Sequence, residues 1–292
     1  MNQELVSSMC QNAFGEIPAH IVRFSTGLGN YVYRITIKGT NYVLRCGEHS
    51  YQQTIHYLTE LRALGIPVAR LISHGQHQGL YYMIVTYLEG RELGDIYPSL
   101  SDAEKQTIAQ EVVHIQNRAA LLHSSGICNW PQWVDDMLER ARTRIAANGY
   151  FDPKLVDSLR PTVSRLRYYF EKLTPRVYLD DITTKNLLIQ NGHVSGVIDV
   201  DWVEYGDPLT FAALTNMSLL NMEYDTKYVQ YLLEQMHITP EQRRAFQFYT
   251  LLFCVDFMGE RGTTFVGRTV PVNKEIIERL NRIYAQLWMQ LQ

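Results

Sequence analysis

Tyr178-Leu179-Asp180-Asp181-Ile182-Thr183-Thr184-Lys185-Asn186-Leu187-Leu188-Ile189-Gln190-Asn191-Gly192-His193-Val194-Ser195-Gly196-Val197-Ile198-Asp199 decides how the rest of this chain is read. Asp181 precedes Asn186 by five positions, and Asn186 precedes Asp199 by thirteen. Between the last two lie an apolar run, a Gln190-Asn191-Gly192 turn signal and a second apolar run from Val194 to Ile198, the pattern of a β-hairpin. A hairpin that long returns the chain to where it started, so it brings Asn186 beside Asp199. One carboxylate and one amide oxygen form a hard donor pair. Such a pair suits Mg2+, which keeps waters and completes its shell with phosphate oxygens. Asp181 sits just upstream, on a loop.

Outward from this stretch the texture differs on the two sides. Residues 1–88 read as strands with one helix: Ile21–Ser25, Val32–Ile37, Tyr42–Arg45, Val68–Ser73 and Leu80–Tyr87 are β-rich. His74-Gly75-Gln76-His77 is expected to be the loop between the last two. Tyr51 to Leu64 carries apolar residues at 51, 55, 58, 61 and 64, one face of a helix stopped by Gly65 and Pro67. After Glu89-Gly90 long helices dominate. Ser101-Asp102-Ala103-Glu104 has capping-box spacing and opens a helix to about His123. Asp152-Pro153 and Thr239-Pro240 each set a capping residue before a proline at the first helical position. The expected architecture is α+β and bilobal, with residues 1–88 as a small β-rich lobe and 89–292 as a larger, mainly helical one.

The composition narrows the function classes. Of 292 residues, 46% are hydrophobic and 20% charged, which is globular, neither disordered nor membrane-embedded. The 27 Lys and Arg against 30 Asp and Glu give −3, which offers no general attraction for nucleic acid or anionic lipid. No apolar run is long enough to span a membrane. Cys10, Cys46, Cys128 and Cys254 lie far apart without a C-x-x-C pair, and no signal peptide is recognisable. Both point to reduced thiols and a cytoplasmic protein, and away from a cysteine zinc site. The sequence leaves the oligomeric state open.

The D-x-x-x-x-N spacing, followed thirteen residues later by an Asp after an apolar strand, resembles the protein-kinase-like fold, in particular its aminoglycoside phosphotransferase and choline kinase branch. Val197-Ile198-Asp199 with Tyr205-Gly206-Asp207-Pro208 resembles that branch's "VID…GDP" stretch. Further parts follow in order: a glycine loop at Ser25–Arg34, a cation-bearing strand at Tyr42–Arg45, Gly65-Ile66-Pro67-Val68 after the helix, and a hinge at Val85–Gly90. Singly, these are ordinary turn and capping residues; their order carries the likeness. The resemblance implies a kinase that transfers the γ-phosphate of ATP or GTP to a hydroxyl of a small molecule. In it Asp181 would take the hydroxyl proton, while Asn186 and Asp199 would hold Mg2+. Arg45 would pair with phosphate oxygens under the backbone of Gly27, Leu28, Gly29 and Asn30. The amides of Thr86, Tyr87 and Leu88 would bind the base. Phosphoryl transfer of this kind asks for positioning and charge neutralisation more than covalent work.

The chain departs from that branch at three places. Leu179-Asp180 stands where the branch reads His-Gly, so a hydrogen-bonding side chain is replaced by one that packs. Arg45 replaces a lysine. Gln53-Thr54 occupies the helix position where the cation's acidic partner is expected, with Glu60 about two turns too late. These departures raise an alternative, a kinase-like nucleotide-binding protein with weak or no catalysis. Asp201 reads equally as a supporting acid or a solvated one. Candidate acceptor contacts are Trp202, Glu204, Tyr205, Glu223, Asp256 and Glu260: the acids would suit a polycationic aminoglycoside, and the aromatic rings a quaternary ammonium such as choline.

Overall fold

The computed structural model describes residues 3–24, 31–124, 126, 128–265 and 268–292. Helix α1 (Gln3–Phe14) is followed by β1 (His20–Arg23), β2 (Tyr31–Ile37) and β3 (Thr40–Gly47), then by helix α2 (Gln52–Ala63), β4 (Leu71–His77) and β5 (Leu80–Thr86). The five strands form one antiparallel sheet in the order β1-β2-β3-β5-β4. Strand alternation divides its faces. Tyr33, Ile35, Ile37 and Leu44 pack with Val6, Met9 and Cys10 of α1, while Met83 and Val85 join Leu58 and Leu61 of α2.

The expected loop at His74–His77 lies inside β4. The turn falls instead at Gln78-Gly79, where both residues have positive φ (48° and 82°), and a two-residue turn of that hand matches the twist of paired strands. Val68, expected in that strand, makes a single parallel bridge to Val197.

The larger lobe begins with β6 (Arg91–Glu92), α3 (Leu93–Ile96) and α4 (Asp102–Ala119). Both capping-box bonds of Ser101 and Glu104 form at the start of α4. The helix was expected to reach about 123. Leu121 and Leu122 instead bond three residues back, to Arg118 and Ala119, which tightens the last turn out of α-geometry. Helices α5 (Trp130–Asn148), α6 (Lys154–Asp157) and α7 (Arg160–Lys172) lead into β7 (Arg176–Leu179), β8 (Leu187–Gln190), β9 (His193–Val197) and β10 (Val203–Gly206). The rest is α8 (Leu209–Asn221), α9 (Lys227–Gln235), α10 (Pro240–Glu260), the short pair β11 (Thr264–Phe265) and β12 (Arg268–Thr269), and α11 (Lys274–Leu291). The structure is therefore the expected bilobal α+β fold. Its larger core runs from α2 through α4, α5, α8 and α10 to α11.

Candidate active site

The hairpin forms as its sequence dictates. Asn191 and Gly192 both take positive φ (53° and 76°), and β8 pairs with β9 so that Leu187 faces Val197. Beyond that last pair the Ile198 N–H donates to the Asn186 carbonyl at 2.9 Å, so Asn186 and Asp199 leave the open end side by side. The Asn186 amide N–H donates to the Asp181 carbonyl at 3.0 Å, which turns its amide oxygen away from that bond. The Thr183 hydroxyl donates to the Asp181 carboxylate at 3.0 Å. Asp199 itself sits in the left-handed region (φ 57°), a conformation that aspartate tolerates better than most residues. Burial raises the Asp181 pKa, and the Asp199 charge adds to the effect against the Thr183 bond. Burial likewise raises that of Asp199, opposed by Arg45 and reinforced by Asp201.

The β3 cation meets this cluster from the small lobe. Arg45 Nη2 lies 2.7 Å from Asp201 Oδ2 and 3.3 Å from Asp199 Oδ1. The second Asp201 oxygen accepts from the Thr54 hydroxyl of α2 at 2.6 Å. Burial opposes the Arg45 charge, but Asp201 and Asp199 outweigh it and its pKa rises.

Behind the loop that carries Asp181, buried Gln116 of α4 grips Leu179 through its backbone: the side-chain amide donates to the Leu179 carbonyl at 2.8 Å and accepts from its N–H at 2.9 Å. The next residue, Asp180, donates its N–H to the Trp202 carbonyl, extending the β7–β10 pairing. Burial pushes the Asp180 carboxyl up to about 7, with Glu204 and Asp181 adding like charge. At the far end of β10 a Cβ on Gly206 would fall inside the Trp130 ring, so only glycine fits there. The following Asp207 accepts from Tyr169, Tyr249 and the Leu209 N–H, which caps the entry to α8.

The other predicted residues are distributed as follows. Gly27, Leu28, Gly29 and Asn30 lie outside the described residues. Thr86 ends β5, and its N–H already donates to the Arg70 carbonyl. Leu88 rests against Gly196 of β9, and Ser195 donates to the Glu89 carbonyl at 2.6 Å, so the hinge is fastened to the hairpin. Trp202 is 58% exposed, next to β10, which carries Glu204 and Tyr205. Glu223 faces Arg279 and Arg282 of α11. Asp256 is buried on α10 between Arg140 and Arg144 of α5, and Glu260 lies 3.9 Å from Arg144.

Comparison with known proteins fits this geometry. The family model described as the phosphotransferase enzyme family (APH) matches residues 20–246. The chain belongs to that family. No curated protein matches the sequence. Among solved structures, a thermostable mutant of aminoglycoside phosphotransferase APH(4)-Ia in ternary complex with ADP and hygromycin B shares 17% identity. The match covers 96% of this chain and 98% of that one, with a TM-score of 0.67. ADP-bound aminoglycoside phosphotransferase APH(2'')-Ib shares 12% over 99% of both chains (TM-score 0.66). A putative fructosamine-3-kinase from Haemophilus somnus 129PT shares 14% over 95% and 97% (TM-score 0.63). At these identities the likeness is one of fold.

In this phosphotransferase two hard oxygen donors, from Asn186 and Asp199, lie at the hairpin end. Among the described residues no three His, Cys, Asp or Glu side chains gather as a metal site. The Asn186 amide oxygen and the Asp199 carboxylate, 44% exposed, instead suit a cation that takes most of its shell from water and phosphate. Two functional residues escape a reading by spacing. Gln116 acts through a contact 63 positions away, and Thr54 acts on Asp201 across 147. The only sequence signal for Thr54 was the absence of an acid where one is expected.

Proposed function

We propose that this enzyme transfers the γ-phosphate of a nucleoside triphosphate, ATP or GTP, to a hydroxyl of a small molecule, aminoglycoside-like or choline-like, in a Mg2+-dependent reaction. One observation carries the reading: Asn186 and Asp199 leave the same hairpin end, Asp181 is bonded to Asn186, and Arg45 faces Asp199. The Asp181 carboxylate accepts the hydroxyl proton as that oxygen attacks the γ-phosphorus. The new P–O bond forms while the bond to the bridging oxygen breaks, and the nucleoside diphosphate leaves. Burial makes Asp181 a stronger base than an ordinary aspartate, closer to what proton transfer near neutrality asks. Arg45 pairs with phosphate oxygens, and the amides of Tyr87 and Leu88 read the base. Thr86 supports that hinge, since its own amide is engaged. Asn186 and Asp199 would hold Mg2+, which supplies charge neutralisation on the phosphates.

The acceptor approaches Asp181 beside Trp202, Glu204 and Tyr205. The exposed Trp202 ring suits a quaternary ammonium, and Glu204 suits an amine. Glu223, Asp256 and Glu260 would have to exchange their arginine partners to take part. The division between lobes is taken at residue 88 and the location as cytoplasmic. The charge balance argues against a nucleic-acid partner, and no described helix is long and apolar enough to cross a membrane.

The test is nucleotide binding and turnover, with and without Mg2+ and with both acceptor classes, on wild type, Asp181→Ala and Asp199→Ala. Asp181→Ala is expected to cut turnover by about 10²–10⁴-fold while sparing nucleotide affinity. Asp199→Ala weakens the Mg2+-dependent part of binding. Nucleotide bound with turnover absent, or indifferent to Asp181, replaces this reading with that of a nucleotide-binding module.

A further inference from the structure

A cation buried at a lobe interface needs a fixed anionic partner, because unpaired charge away from water is costly. Helix α2 does not offer one near Arg45: its one carboxylate, Glu60, is exposed and six residues beyond Thr54. Both oxygens of Asp201 are instead engaged by the small lobe. Oδ2 accepts from Arg45 at 2.7 Å, and Oδ1 accepts from the Thr54 hydroxyl at 2.6 Å, with Thr54 only 7% exposed. Arg45 and Thr54 belong to β3 and α2, whereas Asp201 follows β9 in the large lobe. The Arg45 guanidinium lies 5.7 Å from the Tyr51 ring centroid, which limits its swing on a further side.

We propose that Asp201 is a positioning residue that takes the role of the absent helix acid: held by Thr54, it fixes Arg45 for the phosphates and clasps the two lobes together around the nucleotide. The inference rests on the proposed nucleotide-dependent reaction. A planar guanidinium offers a fork of donors, so Arg45 can release Asp199, its longer contact at 3.3 Å, to phosphate or metal while Asp201 keeps hold. A partner on the helix would order the cation within the small lobe alone. A partner on the large lobe makes the order of the cation depend on lobe closure.

The experiment titrates a fluorescent ADP analogue against the full chain, with Mg2+ and in EDTA, for wild type, Asp201→Ala, Thr54→Val and the double variant Asp201→Ala/Thr54→Glu. Asp201→Ala is expected to weaken binding about tenfold in both buffers, and Thr54→Val about two- to fourfold. The double variant, which returns an acid to the helix, recovers most of the loss. Thr54→Val keeps the side-chain volume, so it carries the test if Asp201→Ala fails to fold. Wild-type affinity in Asp201→Ala, or in Thr54→Val where only that variant folds, overturns the clasp. A loss confined to the Mg2+ buffer also overturns it, since Asp201 would then be acting on the metal. So does a loss in a folded Asp201→Ala that the helix acid does not repair. A wild type that binds no nucleotide in either buffer removes the proposed function itself, and the clasp with it.

Discussion

At the scale of single residues, the acids around the site are held by contacts of very different reach: Asp181 bonds to Thr183 two positions on, while Asp201 bonds to Thr54 and Arg45 in the other lobe. Asn186 and Asp199 were legible because one hairpin, set by Asn191-Gly192, returns the chain to its start, with Asp181 five positions upstream. Asp201 was not, because its bonds reach 147 and 156 positions back to α2 and β3. Asp180 falls between. Its sequence position shows a second acid beside the base, but only the fold shows that burial together with Glu204 and Asp181 pushes its carboxyl up to about 7. An unfolded aspartate titrates near 3.8, so between about pH 4 and 7 the folded chain binds this proton more tightly. Stability therefore falls as pH rises through that window and stays lower above it. Asp180→Asn removes the effect. It should stabilise the protein by on the order of 1–2 kcal/mol at pH 8, discounted because the side chain is partly open, and by far less at pH 4. Thermal unfolding at the two pH values measures this, and equal shifts at both would refute the assignment.

At the scale of elements, strand and helix identities followed from periodicity, while their ends were set by turn chemistry and tertiary bonds. The β4–β5 turn moved to Gln78-Gly79 because glycine there supplies the positive φ that a tight hairpin needs. The loop before Asn186 is a clearer case. By sequence, Leu179 offers no hydrogen-bonding side chain where the resembled branch has one, which leaves the loop without that support. The support comes instead from α4, where Gln116 satisfies both backbone groups of Leu179. Gln116→Ala leaves a buried N–H and a buried carbonyl without that partner, at a cost of about 2–4 kcal/mol. Turnover should fall with the loop's order while nucleotide affinity holds, because Arg45 is anchored elsewhere. Gln116→Glu keeps the acceptor for the Leu179 N–H but loses the donor, and should lie between. Chemical denaturation paired with turnover and nucleotide titration checks the order of the three. Equal nucleotide and turnover losses would place Gln116 in general stability rather than in the catalytic loop.

For the whole molecule, the sequence read as two lobes meeting near residue 88, and that picture implies two separately melting units. The packing argues otherwise. One face of the small sheet is closed by α1 alone, with Val6, Met9 and Cys10 against Tyr33, Ile35 and Leu44. On the other side, Leu58 and Leu61 of α2 with Met83 and Val85 join the same apolar cluster as Ile108 and Val112 of α4 and Leu251 of α10. Polar ties run the same way: the Val197 N–H donates to the Pro67 carbonyl, and Arg118 donates to the Gly65 carbonyl, each at 2.9 Å. A small lobe that unfolded alone would expose that shared cluster and strip both of these bonds from the hairpin and α4. The chain should therefore unfold in one transition, with far-ultraviolet ellipticity and aromatic fluorescence coinciding. Leu61→Ala, at a fully buried position in the shared cluster, should lower that single midpoint by several degrees for a cost of about 2–5 kcal/mol. Met9→Ala, equally buried but in the cluster that belongs to the small lobe, tests the coupling from the other side. If the lobes are one cooperative unit, it too moves the whole transition. An early step in which only the sheet is lost, seen in either variant, would mean that the shared core couples the lobes too weakly to hold them together.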